Sequence, residues 1–385
     1  MGGSTPTDVA RSLHAELSAS SERIEAARRL PEDVADLLKR SQLFRLCVPR
    51  RYGGLEAPPQ EMVTSVAEVA RADGSAGWCV AIGATSGLLS GYLPPDDARE
   101  IYGDATSVAG GVFAPRGHAV AGGDDYTIDG RWPFASGMQH CTWLMGGCIV
   151  LRDGKPVLLP RGIPDSRLMI FPADQARMID TWSVSGLCGT GSHDMEVRSL
   201  KVPAHRAISL MTDRPREEST LYRFPVFATL AVGIASVSLG LARRAIDELV
   251  ELAGGKMPTG SRRKLAERPY IQMQVAQAEA ALGSARAFLL DVIGATWDMA
   301  SGASEVSLEQ RALLRLAASS AVSQCIRAVD LMYEAGGGTS IYRSSPLQRC
   351  FRDVHAASQH LMVASSTYEL AGRVLLGVET DAAML

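Results

Sequence analysis

Apolar residues recur at three- and four-residue spacing through the first hundred positions, the period of a helix with one buried face. TDVARSLHAELSASSERIEAARR, PEDVADLLKRSQLFRL and PQEMVTSVAEVARAD carry it, and Pro31 followed by Glu32 and Asp33 is a helix start. From about residue 105 the pattern shortens. Glycine-rich turns alternate with β-branched or aromatic runs in SVAGGVFAP, DDYTIDGRWPFASG, CTWLMGGCIVL, KPVLLP, RMIDTWSVSG and MEVRSLKVP, which predict a β domain. After residue 220 the helical period returns over 224–254, 262–299, 306–335 and 347–377, and four such segments predict an antiparallel bundle. Helices, then strands, then helices argue for segregated domains rather than alternating βαβ units. The 385 residues have room for two or three such domains.

One segment departs from the amphipathic pattern. Between Arg223 and Arg243 lie only uncharged residues, FPVFATLAVGIASVSLGLA, near the length of a membrane span. It contains a proline, two glycines and several Ser and Ala, and no second segment resembles it. A helix apolar all round at the centre of a bundle or oligomer is the better expectation, with no membrane association.

Charge and cysteine usage narrow the function classes. A net charge of −3, a pI near 6.2 and no dense Lys/Arg run leave no electrostatic footprint for nucleic acid or an anionic membrane. The seven cysteines are scattered without a CxxC pair, so neither a disulfide framework nor a zinc site is expected. The N-terminal residues lack a basic region followed by an apolar stretch, so no signal peptide is expected and a cytoplasmic location is.

The histidines of RDVHAASQH pose the first chemical question. On a continuous helix His355 and His360, five residues apart, point about 140° away from each other, so they do not grip one metal. A single imidazole aimed into a pocket can still act near neutral pH. The glycine segments GTGS (189–192) and GGGTS (336–340) lack the spacing of a dinucleotide fingerprint or a phosphate loop, and read as turns. No GxSxG is present, which gives no support to a nucleophile-elbow hydrolase.

Taken in order, FRLCVPRRYGGLEAPPQE, RADGSAGW, GRWPFASG, DTWSVSGLCGTGSHDMEVRSLKVPAHR, GLARRAIDEL, YEAGGG and LQRCFRDVHAASQH resemble the acyl-CoA dehydrogenase superfamily over nearly the whole chain. The resemblance implies a mainly α fold with a central β-barrel: an N-terminal helical domain (1–104), a middle β-barrel domain (105–219) and a C-terminal four-helix bundle (220–385). It also implies a homotetramer that holds a flavin between barrel and bundle. In the dehydrogenases a glutamate removes a proton from the acyl thioester. The two positions that would carry it hold Leu361 and, near the first bundle helix, Leu230, while Glu369 lies eight residues too far along. The R-x-x-FG segment is replaced by TGSRRKLAERP.

His360 stands immediately before the missing glutamate, and that pattern resembles the two-component flavin monooxygenases of the superfamily. This resemblance implies reduced FAD or FMN delivered by a separate NAD(P)H-dependent flavin reductase. O2 is then the co-substrate, and a C4a-hydroperoxyflavin transfers oxygen to a small molecule. The absence of a nucleotide-binding βαβ fingerprint agrees with that division of labour. Alternatives are a flavin dehydrogenase or oxidase lacking the usual glutamate, and a non-catalytic scaffold of the same fold.

Residue roles follow from the same resemblance. His360 is the expected proton acceptor or oxygen-stabilising group, against a hydrogen-bonded core histidine. Ser136 is expected at flavin N5, against an ordinary strand-end serine. Phe113 in the loop GGVFAPRG, Gly137, Thr190 and Ser192 are expected on the flavin. Gly336 and Gly337 are expected against a neighbouring subunit's flavin, and Arg263 against a flavin phosphate or in a solvated loop. His140, Ser86 and Trp182 are candidate substrate contacts, while the tryptophans as a group, Trp78 included, read as core. His355 is expected to be a packing residue. The substrate histidine that some monooxygenases carry after GW is replaced by Thr85–Ser86, which leaves amines, amino sugars, indoles and polyketide-type aromatics open.

Overall fold

The computed structural model describes residues 4–302, 304–381 and 385. Six helices come first: α1 (Pro6–Ser12), α2 (His14–Ala27), α3 (Glu32–Arg40), α4 (Pro59–Ala72), α5 (Gly74–Ser86) and α6 (Pro95–Tyr102). Eight strands follow: β1 (Ala109–Gly122), β2 (Asp125–Trp132), β3 (Trp143–Arg152), β4 (Lys155–Pro156), β5 (Ser166–Pro172), β6 (Arg177–Ile179), β7 (Asp194–Pro203) and β8 (Ala207–Ile208). The chain then returns to helices α7 (Thr220–Arg223), α8 (Val226–Gly255), α9 (Pro269–Ser301), α10 (Leu308–Gly336), α11 (Pro346–Ala357) and α12 (Ser366–Leu375).

The apolar segment is α8, and 78% of its most hydrophobic window is buried inside the chain itself. It packs on α4, α5, α9, α10 and α11, so the early and late helices share one continuous apolar core. Close approach is built into the sequence: a Cβ on Gly240 of α8 would lie 2.3 Å from the Ala67 carbonyl of α4. A helix apolar on every face can be this completely covered only at the centre of a helical layer.

Among the described residues the strands form one sheet in the order β6-β7-β2-β1-β3-β5-β8, with β4 on β3 and only the β1–β3 pair parallel. This corrects the expected closed barrel, because the path ends at β6 and β8. Those edge strands, three and two residues long, pair only with β7 and β5. Trp132 is fully buried in the sheet's own core, where a Cβ on Gly117, Gly130 or Gly146 would strike its ring.

A second correction concerns the last predicted helix, 347–377. The chain leaves helical geometry after Ala357, where the Ser358 hydroxyl donates to the His355 carbonyl at 2.7 Å. Such a local side-chain bond competes with the helical ladder. His360 lies beyond the Ser358 cap and is not helical: it has φ −71 and ψ 131 and caps the 3₁₀ turn Leu361–Val363.

Candidate active site

Three segments meet around one tryptophan. Helix α5 is started by Asp73, whose side chain accepts the Ala76 N–H at 2.9 Å, and its second turn carries Trp78 into the interior. The loop after β2 passes through left-handed backbone at Phe134 (φ +67) and Gly137 (φ +71), and carries Ser136 between them. A second loop, left-handed at Leu187 and Gly191, brings up Thr190 and Ser192. The Gly137 N–H donates to the Thr190 carbonyl at 2.9 Å and fastens the two loops together.

Trp78 donates its indole N–H to Ser136 Oγ at 3.0 Å. Ser136 Oγ lies 2.7 Å from Ser192 Oγ, which lies 2.7 Å from Thr190 Oγ1, and Thr190 donates to the Leu187 carbonyl at 2.9 Å. His360 meets the same indole edge to face, with ring centroids 5.7 Å apart. Ser136, Gly137, Thr190, Ser192 and His360 thus come together although they lie far apart in the chain.

The electrostatics of the two histidines here are set by burial. His360 is pushed down to about 4 by desolvation and, less strongly, by the nearby Arg315 cation. Its Nδ1 accepts the Met362 N–H at 3.2 Å, so the neutral ring carries its proton on Nε2. His140 is pushed down to about 3, by desolvation first and Lys39 second. It leans on Phe44 with centroids 5.1 Å apart and lies against Gly137, where a Cβ would stand 2.6 Å from His140 Cε1.

The remaining expected residues are distributed differently. Trp182 borders the cluster: its indole N–H donates to the Leu187 carbonyl at 3.2 Å and its ring meets Phe134 edge-on. Phe113 sits in β1, half-buried against the apolar cluster that contains Tyr52, Leu89 and Met145. Ser86 is fully buried, its carbonyl accepting the Tyr102 hydroxyl. Gly336 and Gly337 belong to another corner, where Lys256 donates to the Gly336 carbonyl at 2.8 Å and to Thr339 at 2.6 Å. Arg263 is exposed on the loop after α8. His355 packs as expected, with Nε2 2.9 Å from Asp330 and its ring on Phe351.

Sequence reasoning missed three residues. Trp78 was read as core, although a buried indole N–H needs a partner and so signals a polar neighbour. Asp353 accepts the Leu187 N–H at 2.6 Å and holds the second loop to α11, while burial raises its carboxyl to about 7. Gln139 has a buried amide oxygen with no partner. That oxygen, the ring of Phe134 at 66% exposure and the loop backbone suit a planar, polar-edged ring system, so the residues fit a flavin.

Comparison with known proteins accords with this geometry. Residues 7–93 match the family model for the acyl-CoA dehydrogenase N-terminal domain and residues 232–365 that for the C-terminal domain. Indole-3-acetate monooxygenase of Pseudomonas putida is 35% identical over 91% of this chain and 88% of its own. The oxygenase component of the FADH(2)-dependent resorcinol hydroxylase of Rhizobium sp. is 28% identical over 94% and 91%. The solved structure of XiaF from Streptomyces sp., in complex with FADH2 and glycerol, superimposes with a TM-score of 0.89 at 27% identity, covering 97% of this chain and 95% of that one. The chain belongs to the acyl-CoA dehydrogenase superfamily, within its flavin-dependent monooxygenases.

Proposed function

We propose that this enzyme is the oxygenase component of a two-component system: it takes reduced FAD or FMN from a separate NAD(P)H-dependent reductase and oxygenates an aromatic substrate of the indole or phenol class. The observation that carries the reading is His360. It stands beside Trp78 as a neutral imidazole with Nε2–H free to donate, while Leu361, at the place of the dehydrogenase base, is 67% exposed and has no acid–base chemistry. The relatives named above for indole-3-acetate and resorcinol support the aromatic class.

Reduced flavin, when bound, supplies the electrons that activate dioxygen for transfer of one oxygen atom. In this reading Ser136 faces flavin N5 and holds its hydrogen there. The Nε2–H of His360 donates to the reacting oxygen, a role that replaces the expected proton acceptor because Nδ1 is already engaged. Gln139 offers its unpartnered amide oxygen to the ring edge, and Phe134 and Trp182 cover the ring from water. His140, neutral and tilted against Phe44, contacts the substrate.

The corner built by Lys256, Gly336 and Gly337 receives the flavin of a neighbouring subunit in a homotetramer, and Arg263 on the exposed loop after α8 pairs with a flavin phosphate. The exposed apolar side chains Tyr270, Met273 and Phe288 on α9 support such an assembly. The division 1–104, 105–219 and 220–385 and a cytoplasmic location are part of the same reading.

The test supplies the protein with NADH, a flavin reductase, flavin and isotopically labelled dioxygen, with indole-3-acetate or a phenol as substrate. The expected product carries one labelled oxygen atom and forms only when both proteins are present. Product formation from oxidised flavin without reductase or oxygen would overturn the reading.

A further inference from the structure

The hydrogen bonds around Ser136 have one consistent direction. The indole N–H of Trp78 can only donate and the Leu187 carbonyl can only accept. Between them stand three hydroxyls joined by four contacts: Trp78 to Ser136 at 3.0 Å, Ser136 to Ser192 at 2.7 Å, Ser192 to Thr190 at 2.7 Å and Thr190 to Leu187 at 2.9 Å. Four protons serve four bonds. The Leu187 carbonyl also accepts the Trp182 indole N–H and the Thr190 N–H, but two oxygens 2.9 Å apart attract only with the Thr190 proton between them. With all four contacts bonded, Ser192 donates to Thr190 and Ser136 to Ser192. Ser136, buried at 7% exposure, is left with one lone pair and no proton to offer outward.

We infer that this one-way hydroxyl chain selects the redox state of the flavin, with Ser192 and Thr190 as positioning residues that make Ser136 an obligate acceptor. The inference rests on the reading that Ser136 faces flavin N5. Reduced flavin carries hydrogen on N5 and donates to the free lone pair. Oxidised flavin presents a bare nitrogen lone pair there, and Ser136 has no proton to meet it. Reduced flavin is thereby held more tightly than oxidised flavin.

The chain makes its distal members testable. In Ser192→Ala the Ser136 proton loses its acceptor and turns outward. In Thr190→Val Ser192 loses its own acceptor and turns to donate to Ser136, which again frees the Ser136 proton, although Thr190 does not touch Ser136. Thr190→Ser keeps the hydroxyl and should restore the original direction.

The experiment measures equilibrium binding of oxidised FMN or FAD, and of the same flavin reduced anaerobically, to the intact protein and these three variants. The wild type binds reduced flavin more tightly. The ratio of oxidised to reduced Kd falls about tenfold in Ser192→Ala and in Thr190→Val, the size of one hydrogen bond gained on one side, and returns in Thr190→Ser. The variants are small or isosteric, and Thr190→Ser controls for loss of fold. Tight reduced-flavin binding with an unchanged ratio in both variants would overturn the inference and leave the functional reading standing. Failure of the wild type to bind either flavin state would overturn both.

Discussion

The indole of Trp78 stands edge-on to the imidazole of His360 at 67° and 5.7 Å between centroids, while its N–H bonds Ser136 Oγ at 3.0 Å. One side chain from α5 therefore couples the turn after α11 to the loop after β2, two parts of the chain that do not otherwise share a secondary element.

Trp78→Phe keeps an aromatic ring beside His360 and deletes only the donor. The buried Ser136 oxygen then lacks one partner, which costs about 1–2 kcal/mol in denaturant unfolding. The same variant should waste more reduced flavin, releasing more hydrogen peroxide per product than wild type in a coupled assay. An unchanged ratio with lost stability would mean that Trp78 only packs.

His360 should not titrate near neutrality. Its folded pKa of about 4 lies below the ordinary 6.5, so the folded state binds fewer protons than the unfolded chain between those values. Its contribution to stability is present above about pH 6.5 and falls away by up to about 3 kcal/mol as pH drops toward 4. Nitrogen NMR of the ring should show a neutral imidazole protonated on Nε2 throughout pH 6 to 8, and His360→Ala should flatten the acid limb of the stability profile.

Asp353 has the opposite sign. Desolvation holds its carboxyl at about 7, above the ordinary 3.8; the neighbouring Asp73 raises it too, while the Leu187 N–H, Arg352 and Arg349 pull it down. Its folded form binds more protons between about pH 4 and 7, so stability falls as pH rises through that window, by up to about 4 kcal/mol. Asp353→Asn keeps an acceptor for the Leu187 N–H and should be more stable than wild type at pH 8 and similar at pH 4. Thermal melts of both proteins at the two pH values check this.

Gly137→Ala tests how tightly the loop holds His140. The residue has φ +71, and the new Cβ would stand 2.6 Å from His140 Cε1. The expected cost is about 1–3 kcal/mol of stability, from backbone strain and the displaced ring. Substrate KM should rise more than kcat falls, because the ring that moves is the one proposed to contact the substrate.

The order of helices and strands was legible because period and turn chemistry are local properties of the chain. The break before His360 was not: no glycine or proline stands between Ala357 and His360, and the Ser358 hydroxyl bonds the His355 carbonyl as serines inside unbroken helices also do. Ser136, Thr190, Ser192 and His360 could be named from resemblance to the superfamily. Their connections could not, since Trp78 meets Ser136 across 58 positions and Asp353 meets Leu187 across 166. No sequence pattern announces such bonds; they follow from the demand that buried polar groups be paired. The closed barrel failed for a related reason, because strand patterns predict pairing but not whether the last edge meets the first.

The most direct measurement mixes the protein, loaded anaerobically with reduced flavin, with oxygenated buffer and follows the absorbance of the flavin. The expected result is a transient that absorbs at shorter wavelength than oxidised flavin, and whose lifetime shortens in Ser136→Ala and His360→Ala. Direct return to oxidised flavin at the rate of the free cofactor, with no transient in the wild type, would contradict it.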